Sequence, residues 1–375
     1  MKKKIYIVSA DDIILYQPTI LNLYDFLSDE FDVQIITFTP SYLGKEKETE
    51  KNVLYLNINL FFYKFFRNID LYINAVFKRA NKISKIFSFR SEQVRKYKAR
   101  ILFKSVQKIK QHQLIAVDIM PLYVCQRISN KVNFLSLEIV PNDSYITKID
   151  NSKIACVIIQ NKERYQYLFS NELIKTFYIQ NAPRAVFKTF FENENRENLI
   201  WAGSITIDFA VQNLLYFIRE NLKYKLVLKG ALVKSAQDLI ESNYRDLIGK
   251  NIIINNEYLK TKEFIEFISR CRIGFCFYNW DMIKANYNYE TAPSGKLFMY
   301  LAAGVPVIAC NIVGFKFIEK FSAGVLIDDY EPETILKAIE KIELNFAQYS
   351  ENAYKAFDEY NFDINSNQLK KFLID

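Results

Sequence analysis

Short, densely apolar runs alternate along the chain with longer stretches in which apolar residues recur every three or four positions. KIYIVSA (4–10) is a run of the kind that forms a strand buried on both faces. PTILNLYDFLSDEF (18–31) follows with helical spacing, and DVQIITF (32–38) predicts a second strand. Strand, helix, strand is the unit from which parallel α/β sheets are built. Further runs predict strands at 53–58, 114–119, 133–140, 153–160 and 176–181, with a helix over 164–173.

Residues 183–196 end in the polar run ENENRE and read as a linker. A second series then begins. NLIWAGS, YKLVLKG, NIIINNEY, IGFCFYN, VPVIAC and GVLID predict strands. VQNLLYFIRENL, KEFIEFISRC, KLFMYLAAG and EPETILKAIEKI predict the helices that connect them. At 375 residues the chain exceeds one ordinary core. The expectation is an α/β protein of two Rossmann-like, doubly wound domains, over 1–190 and 197–355.

Half of the residues are hydrophobic, and neither low-complexity tracts nor solenoid-length repeats occur. In the opening MKKKIYIVSADD, Asp11 and Asp12 cut the apolar run short of a signal-peptide core. No apolar stretch reaches the roughly 18 residues a membrane span needs. The five cysteines fall inside predicted elements without metal-type pairing, and there is one histidine, His112, so no zinc site is expected. These features imply a cytoplasmic protein with buried, reduced thiols.

Charge is unevenly spread. The formal net charge is +8, yet residues 61–110 hold 14 Lys/Arg against 2 Asp/Glu, so the rest of the chain is net acidic. In this segment aromatic and aliphatic residues recur at helical spacing among the cations, which suits an anionic membrane surface. A solvated helical face is the competing reading. Nucleic-acid binding is a third, disfavoured because no nucleic-acid motif accompanies the charge.

Eight of the nine glycines lie beyond residue 200, and no G-x-G-x-x-G follows the first strand. A phosphate-binding turn is therefore expected in the second domain. Residues 292–309, APSGKLFMYLAAGVPVIA, supply one. Pro293 and Ser294 predict a helix start with Ser294 as its cap, and Gly304 predicts its left-handed end. Free N–H groups at the start attract an anion, and Lys296 adds a full charge, so Ser294, Gly295 and Lys296 form a candidate diphosphate seat. An ordinary capped helix carrying a surface lysine is the alternative.

This stretch resembles the C-terminal-domain motif of GT-B glycosyltransferases, (S/T)-P/G-x-K-x-x-E-Y-x-A-x-G-x-P-V-I. Lys296, Tyr300, Ala302, Gly304, Pro306, Val307 and Ile308 match it in order. The likeness extends over most of 197–340, including the strand ends at Gly203 and Ser204 and at Lys229 and Gly230. It implies a GT-B fold, two domains facing across a cleft, with a final helix over 356–375 returning to the N-terminal domain. It also implies a glycosyltransferase using a UDP-linked nucleotide-sugar donor, with no obligatory metal and no cofactor. The acceptor would be a glycan or a lipid-diphosphate-linked chain in bacterial surface polysaccharide assembly, reached from the inner face of the cytoplasmic membrane through residues 61–110.

The departures are specific. Many retaining members carry two glutamates eight positions apart, and those positions here are Thr291 and Met299. Glu290 lies one residue off. Methionine cannot accept the hydrogen bonds of a ribose. Arg and Lys are also absent from SITIDFAVQ, which leaves Lys296 and Lys229 as local cations. Tyr258 stands where members present groups to the nucleobase. For an inverting reaction the candidate general bases are Glu138, at the end of FLSLE, and Asp11 and Asp12 after the first strand. The rival readings are a nucleotide-sugar epimerase of the same fold, a non-catalytic nucleotide-sugar binder, and a basic nucleic-acid-binding protein.

Overall fold

The computed structural model describes residues 2–11, 17–39, 51–58, 83–140, 143–170, 173–291 and 293–375. Asp12 and residues 59–82 of the basic segment lie outside that set. The chain divides into two compact units: Met1–Ile159 with Asn171–Phe177, and Gln160–Ser170 with Tyr178–Asp375. It therefore passes from one unit to the other three times.

The first unit is built on a seven-stranded sheet: β1 (Lys4–Val8), β2 (Asp32–Phe38), β3 (Val53–Leu56), β4 (Gln113–Val117), β5 (Val132–Leu135), β6 (Ile154–Ile159) and β7 (Thr176–Tyr178). Their order is β3-β2-β1-β4-β5-β6-β7, and every pair from β3 to β6 is parallel. Ile5, Ile7, Val8, Leu114, Ile115 and Phe134 are completely buried, as runs apolar on both faces require. The run expected as a strand over 133–140 stops at Leu135. The carboxylate of Asp118 draws the next amides out of the ladder, accepting from Leu137 N at 2.7 Å and Glu138 N at 3.0 Å.

The second unit carries a six-stranded sheet: β8 (Glu197–Ala202), β9 (Leu226–Lys229), β10 (Ile252–Asn255), β11 (Cys271–Cys276), β12 (Val307–Cys310) and β13 (Gly324–Ile327). All five pairs are parallel in the order β10-β9-β8-β11-β12-β13. Helix Val211–Glu220 buries Val211, Leu214, Leu215 and Ile218, the stripe its spacing predicted. Helix Pro332–Glu343 does the same with Ile335, Ala338, Ile339 and Ile342 behind a proline in its first turn. Helices Lys234–Asn243 and Phe346–Tyr360 complete the cover, and Asn361 ends one helix and caps the next, Phe362–Ile374, through Ile364 N at 3.1 Å. All five cysteines are buried and free, and burial pushes the thiols of Cys125, Cys156, Cys271 and Cys310 up to about 12.

The two central strands of this second sheet are joined from below by one side chain. Tyr300 is fully buried, and its hydroxyl accepts from Ala202 N at 2.8 Å while lying 3.2 Å from Phe275 O. Its ring lies so close to Gly274 that a Cβ there would sit 2.7 Å from Tyr300 Cδ1. The motif tyrosine is thus a clamp between β8 and β11, and glycine is required opposite it. Tyr300→Phe leaves a buried amide without its acceptor. Urea unfolding should show a loss of about 1–3 kcal/mol, against near-neutrality if the hydroxyl were idle.

Candidate functional site

Strand order reverses between β8 and β11, and the crevice outside the carboxyl ends of such strands is where parallel sheets receive ligands. The turns there leave little room. Gly203 (φ 108°) and Gly230 (φ 140°) leave β8 and β9 in backbone conformations that favour glycine, and a Cβ on Gly230 would lie 2.1 Å from Gly203 O. A Cβ on Gly203 would come within 3.9 Å of Lys296 Cε. Gly203, Gly230 and Lys296 are therefore one cluster.

Helix Gly295–Ala302 starts at this crevice. Ser294 occupies the capping position, but its side chain makes no cap hydrogen bond. Ser294 therefore precedes the helix without capping it, which corrects the expectation. Gly295 is pressed against Asn181, whose Nδ2 would be 2.9 Å from an added Cβ. The far end closes as expected. Gly304 has φ 63°, Gly304 N donates to Leu301 O at 3.0 Å, and Val305 N donates to Tyr300 O at 2.9 Å.

Lys296 is the unusual group. Its ammonium nitrogen is buried and has no hydrogen-bond partner among the described residues. It sits 4.0 Å from the Trp201 ring centroid and 4.9 Å from that of Phe209. Two aromatic faces offset part of the lost hydration, at about 2 kcal/mol or less each, but neither neutralises the charge. Burial accordingly lowers the Lys296 pKa from 10.5. The cage extends through Phe209 to Tyr278 (5.4 Å) and Tyr289 (6.4 Å). NLIWAGS puts Trp201 in a strand while Phe209 falls between predicted elements, and only their tertiary convergence on Lys296 reveals the cage.

The remaining second-unit candidates are arranged differently. Lys229 is completely buried, and its ammonium is engaged by Asn255 Oδ1 and Glu257 O, each at 2.7 Å. Ser204 O accepts from the indole of Trp201 at 3.1 Å. Tyr258 is 78% exposed. Glu290 is exposed in the short helix Tyr287–Thr291 and makes no hydrogen bond or ion pair among the described residues. Thr291 is buried, with Oγ1 donating to Tyr287 O, and Met299 packs against the core.

In the first unit, strand order reverses between β1 and β4. Asp11 follows β1, where its carboxylate accepts from the Gln17 amide and its carbonyl from Thr37. Glu138 is exposed beyond β5, its backbone held by Asp118. Asp118 itself has φ 63° and ψ 174°, a region almost confined to glycine. Nothing in LIAVDI signals that conformation. His112, half-buried, rests 5.5 Å from the Tyr6 ring. In helix Ile83–Val106 several cations are already committed: Arg95 pairs with Asp143, Lys96 with Glu92, and Lys98 donates to Ala10 O. Arg100, Lys104, Lys108 and Lys110 face solvent. No helix among the described residues is long and apolar enough to cross a membrane.

No protein-family model and no curated protein sequence matches the chain. Solved structures do. The N-terminal domain of Candida albicans trehalose-6-phosphate phosphatase superposes with a TM-score of 0.67 at 8% identity, covering 100% of this chain and 97% of the other. A UDP-forming α,α-trehalose-phosphate synthase from Burkholderia xenovorans gives 0.64 at 11% identity, covering 100% and 99%. Sucrose-phosphate synthase from Thermosynechococcus elongatus gives 0.64 at 12%, covering 99% and 98%. At such identities the likeness establishes the fold, and the fold is GT-B.

A buried cation without an anion lowers stability at every pH at which the unfolded lysine is charged, and the penalty fades as pH rises toward 10.5. Lys296→Met keeps the volume and removes the charge. Chemical denaturation near pH 7 should show a gain of about 1–3 kcal/mol; a loss would mean that the ammonium is satisfied in the folded state.

Proposed function

We propose that this GT-B chain is a glycosyltransferase that moves a sugar from a nucleotide-sugar donor, UDP-linked, to a glycan or lipid-diphosphate-linked acceptor in surface polysaccharide assembly. One observation carries the reading: the unpartnered Lys296 ammonium, at the start of a helix and at the reversal point of a parallel sheet. The leaving group of such a donor is a diphosphate, and its charge grows as the glycosidic bond breaks. A preorganised cation in a low-dielectric cage, with helix N–H groups beside it, stabilises that charge most where it is greatest. Neighbours whose names specify UDP-forming synthases support the nucleotide. Gly203 and Gly230 admit the phosphates, and Ser294 and Gly295 present the helix start. The same arrangement needs neither a cofactor nor an obligatory metal. Ser204, Lys229, Tyr258 and Glu290 are the outer part of the proposed donor site, with Lys229 acting through the turn after β10 that it ties down.

For an inverting reaction, Glu138 is the proposed base, with Asp11 and Asp12 as second candidates. Asp118 fixes the backbone from which Glu138 projects. Thr291 and Met299, in place of the paired glutamates, favour one second reading, a nucleotide-sugar binder without turnover. Release of free UDP from a UDP-sugar in the presence of an acceptor separates the two.

The experiment for the donor site is thermal shift with UDP, GDP, CMP, ADP and dTDP. A nucleotide at a hundred times its dissociation constant should stabilise the chain by about 2.7 kcal/mol. Lys296→Met should abolish the shift. In the wild type the shift should weaken as pH rises through the lowered pKa of Lys296, with a midpoint below 10.5, because the neutral amine no longer supplies the charge that attracts the anion. A shift independent of both the residue and pH removes Lys296 from the site.

The acceptor reading gains support from the solvent-facing Arg100, Lys104, Lys108 and Lys110. Each charge near an anionic surface contributes about 1 kcal/mol. The protein should float with vesicles containing phosphatidylglycerol and not with purely zwitterionic ones. Reversing Arg100, Lys104 and Lys108 to Glu should abolish flotation; flotation indifferent to lipid charge defeats the membrane reading.

A further inference from the structure

The helix start is half-open to solvent at Ser294 and Gly295, but the Lys296 ammonium beside it has essentially no surface exposed to water. An anion arriving there meets the ammonium only if one wall of the aromatic cage gives way. The two walls are not equivalent. Trp201 is completely buried at the end of β8, and its indole N–H donates to Ser204 O at 3.1 Å. Phe209 is half-buried and stands farther from the ammonium, at 4.9 Å against 4.0 Å. It is carried by the single helical turn Ile207–Phe209, in which Ile207 and Asp208 are exposed.

That turn is lightly built. Thr206 caps it through a long bond, accepting from Asp208 N at 3.3 Å, and Asn279 N ties it to the end of the neighbouring strand by donating to Asp208 O at 3.0 Å. It ends at Ala210, whose φ of 57° and ψ of 28° put a residue with a Cβ in the left-handed region. Alanine is strained there, and the strain is released when the residue leaves that region. The closed turn thus holds a ring against the ammonium with an unfavourable hinge behind it.

We propose that Phe209 is a gate on the donor site: its turn swings outward about Ala210 to uncover the Lys296 ammonium for a diphosphate, and closes again when the anion leaves. The proposal rests on the reading of Lys296 as the diphosphate seat and adds what controls entry to it. While the gate is shut, the ring face takes the place of the anion. The open form is then the minor one, and the apparent affinity is reduced by its fraction.

The test is titration of the full chain with inorganic pyrophosphate, followed by calorimetry and by Trp201 emission. Trp280→Phe leaves Trp201 as the sole tryptophan, and the indole N–H it removes has no hydrogen-bond partner among the described residues. In that background pyrophosphate should bind and change the emission, because the charge facing the indole moves or is neutralised. Phe209→Ala should bind at least about threefold more tightly, since the site no longer has to open. Ala210→Gly relieves the strain of the closed turn and should bind at least about threefold more weakly. A purely structural turn would move both variants the same way. Failure of pyrophosphate to bind, or equal binding by Lys296→Met, overturns the seat and the gate together. Lys296-dependent binding that leaves Trp201 emission unchanged, that Phe209→Ala does not tighten, or that Ala210→Gly does not weaken overturns the gate and leaves the seat standing. Circular dichroism verifies the folding of each variant, and Ala210→Gly decides alone if Phe209→Ala does not fold.

Discussion

The charge on Lys296 has nowhere to go inside the protein. An ammonium held out of water is tolerated only when something else replaces its hydration, and here the replacements are two aromatic rings and no carboxylate. The surrounding architecture follows from holding that charge in place. The glycines at 203 and 230 let two strand ends close around the lysine, and the helix that bears it is only eight residues long.

So short a helix is not stable by itself, and the structure anchors both of its ends. Tyr300 fastens its middle to the backbone of β8 and β11. At the far end, the buried guanidinium of Arg196 donates to Ala303 O at 3.0 Å and to Tyr354 Oη at 3.1 Å, and that tyrosine packs where a Cβ on Gly304 would have to go. The near end is backed by Asn161, whose amide donates to Thr291 O at 2.7 Å, and by Asn181 against Gly295. The helix that bears Lys296 is thus held at its start, its middle and its end.

Much of this was legible from local pattern. Strands buried on both faces leave short apolar runs such as NLIWA and VPVIA, so the second sheet could be read almost strand by strand. Gly304 was readable because a helix end with positive φ almost demands glycine. What stayed hidden depends on contacts distant in sequence. Ser294 stands at the capping position without making the cap hydrogen bond, and nothing in PSGK signals it. Lys229 read as a local cation because Asn255 and Glu257, its acceptors, lie more than 25 residues away. The early end of the strand near 135 hinges on Asp118, a residue whose backbone angles no propensity scale would assign to it.

The threefold passage of the chain between its units has a bearing on biosynthesis. The helix Lys162–Phe169 belongs to the second unit, although β6 and β7 on either side of it complete the first sheet. Arg164 in that helix is completely buried, and its guanidinium donates to Asn288, 124 positions later. At ribosomal speeds of about 5–20 residues per second, the helix waits roughly 6–25 s for that acceptor to be made. During that interval the first sheet can close before its inserted helix gains this contact. A nascent chain halted between residues 178 and 288 would therefore hold the Arg164 guanidinium without its Asn288 acceptor.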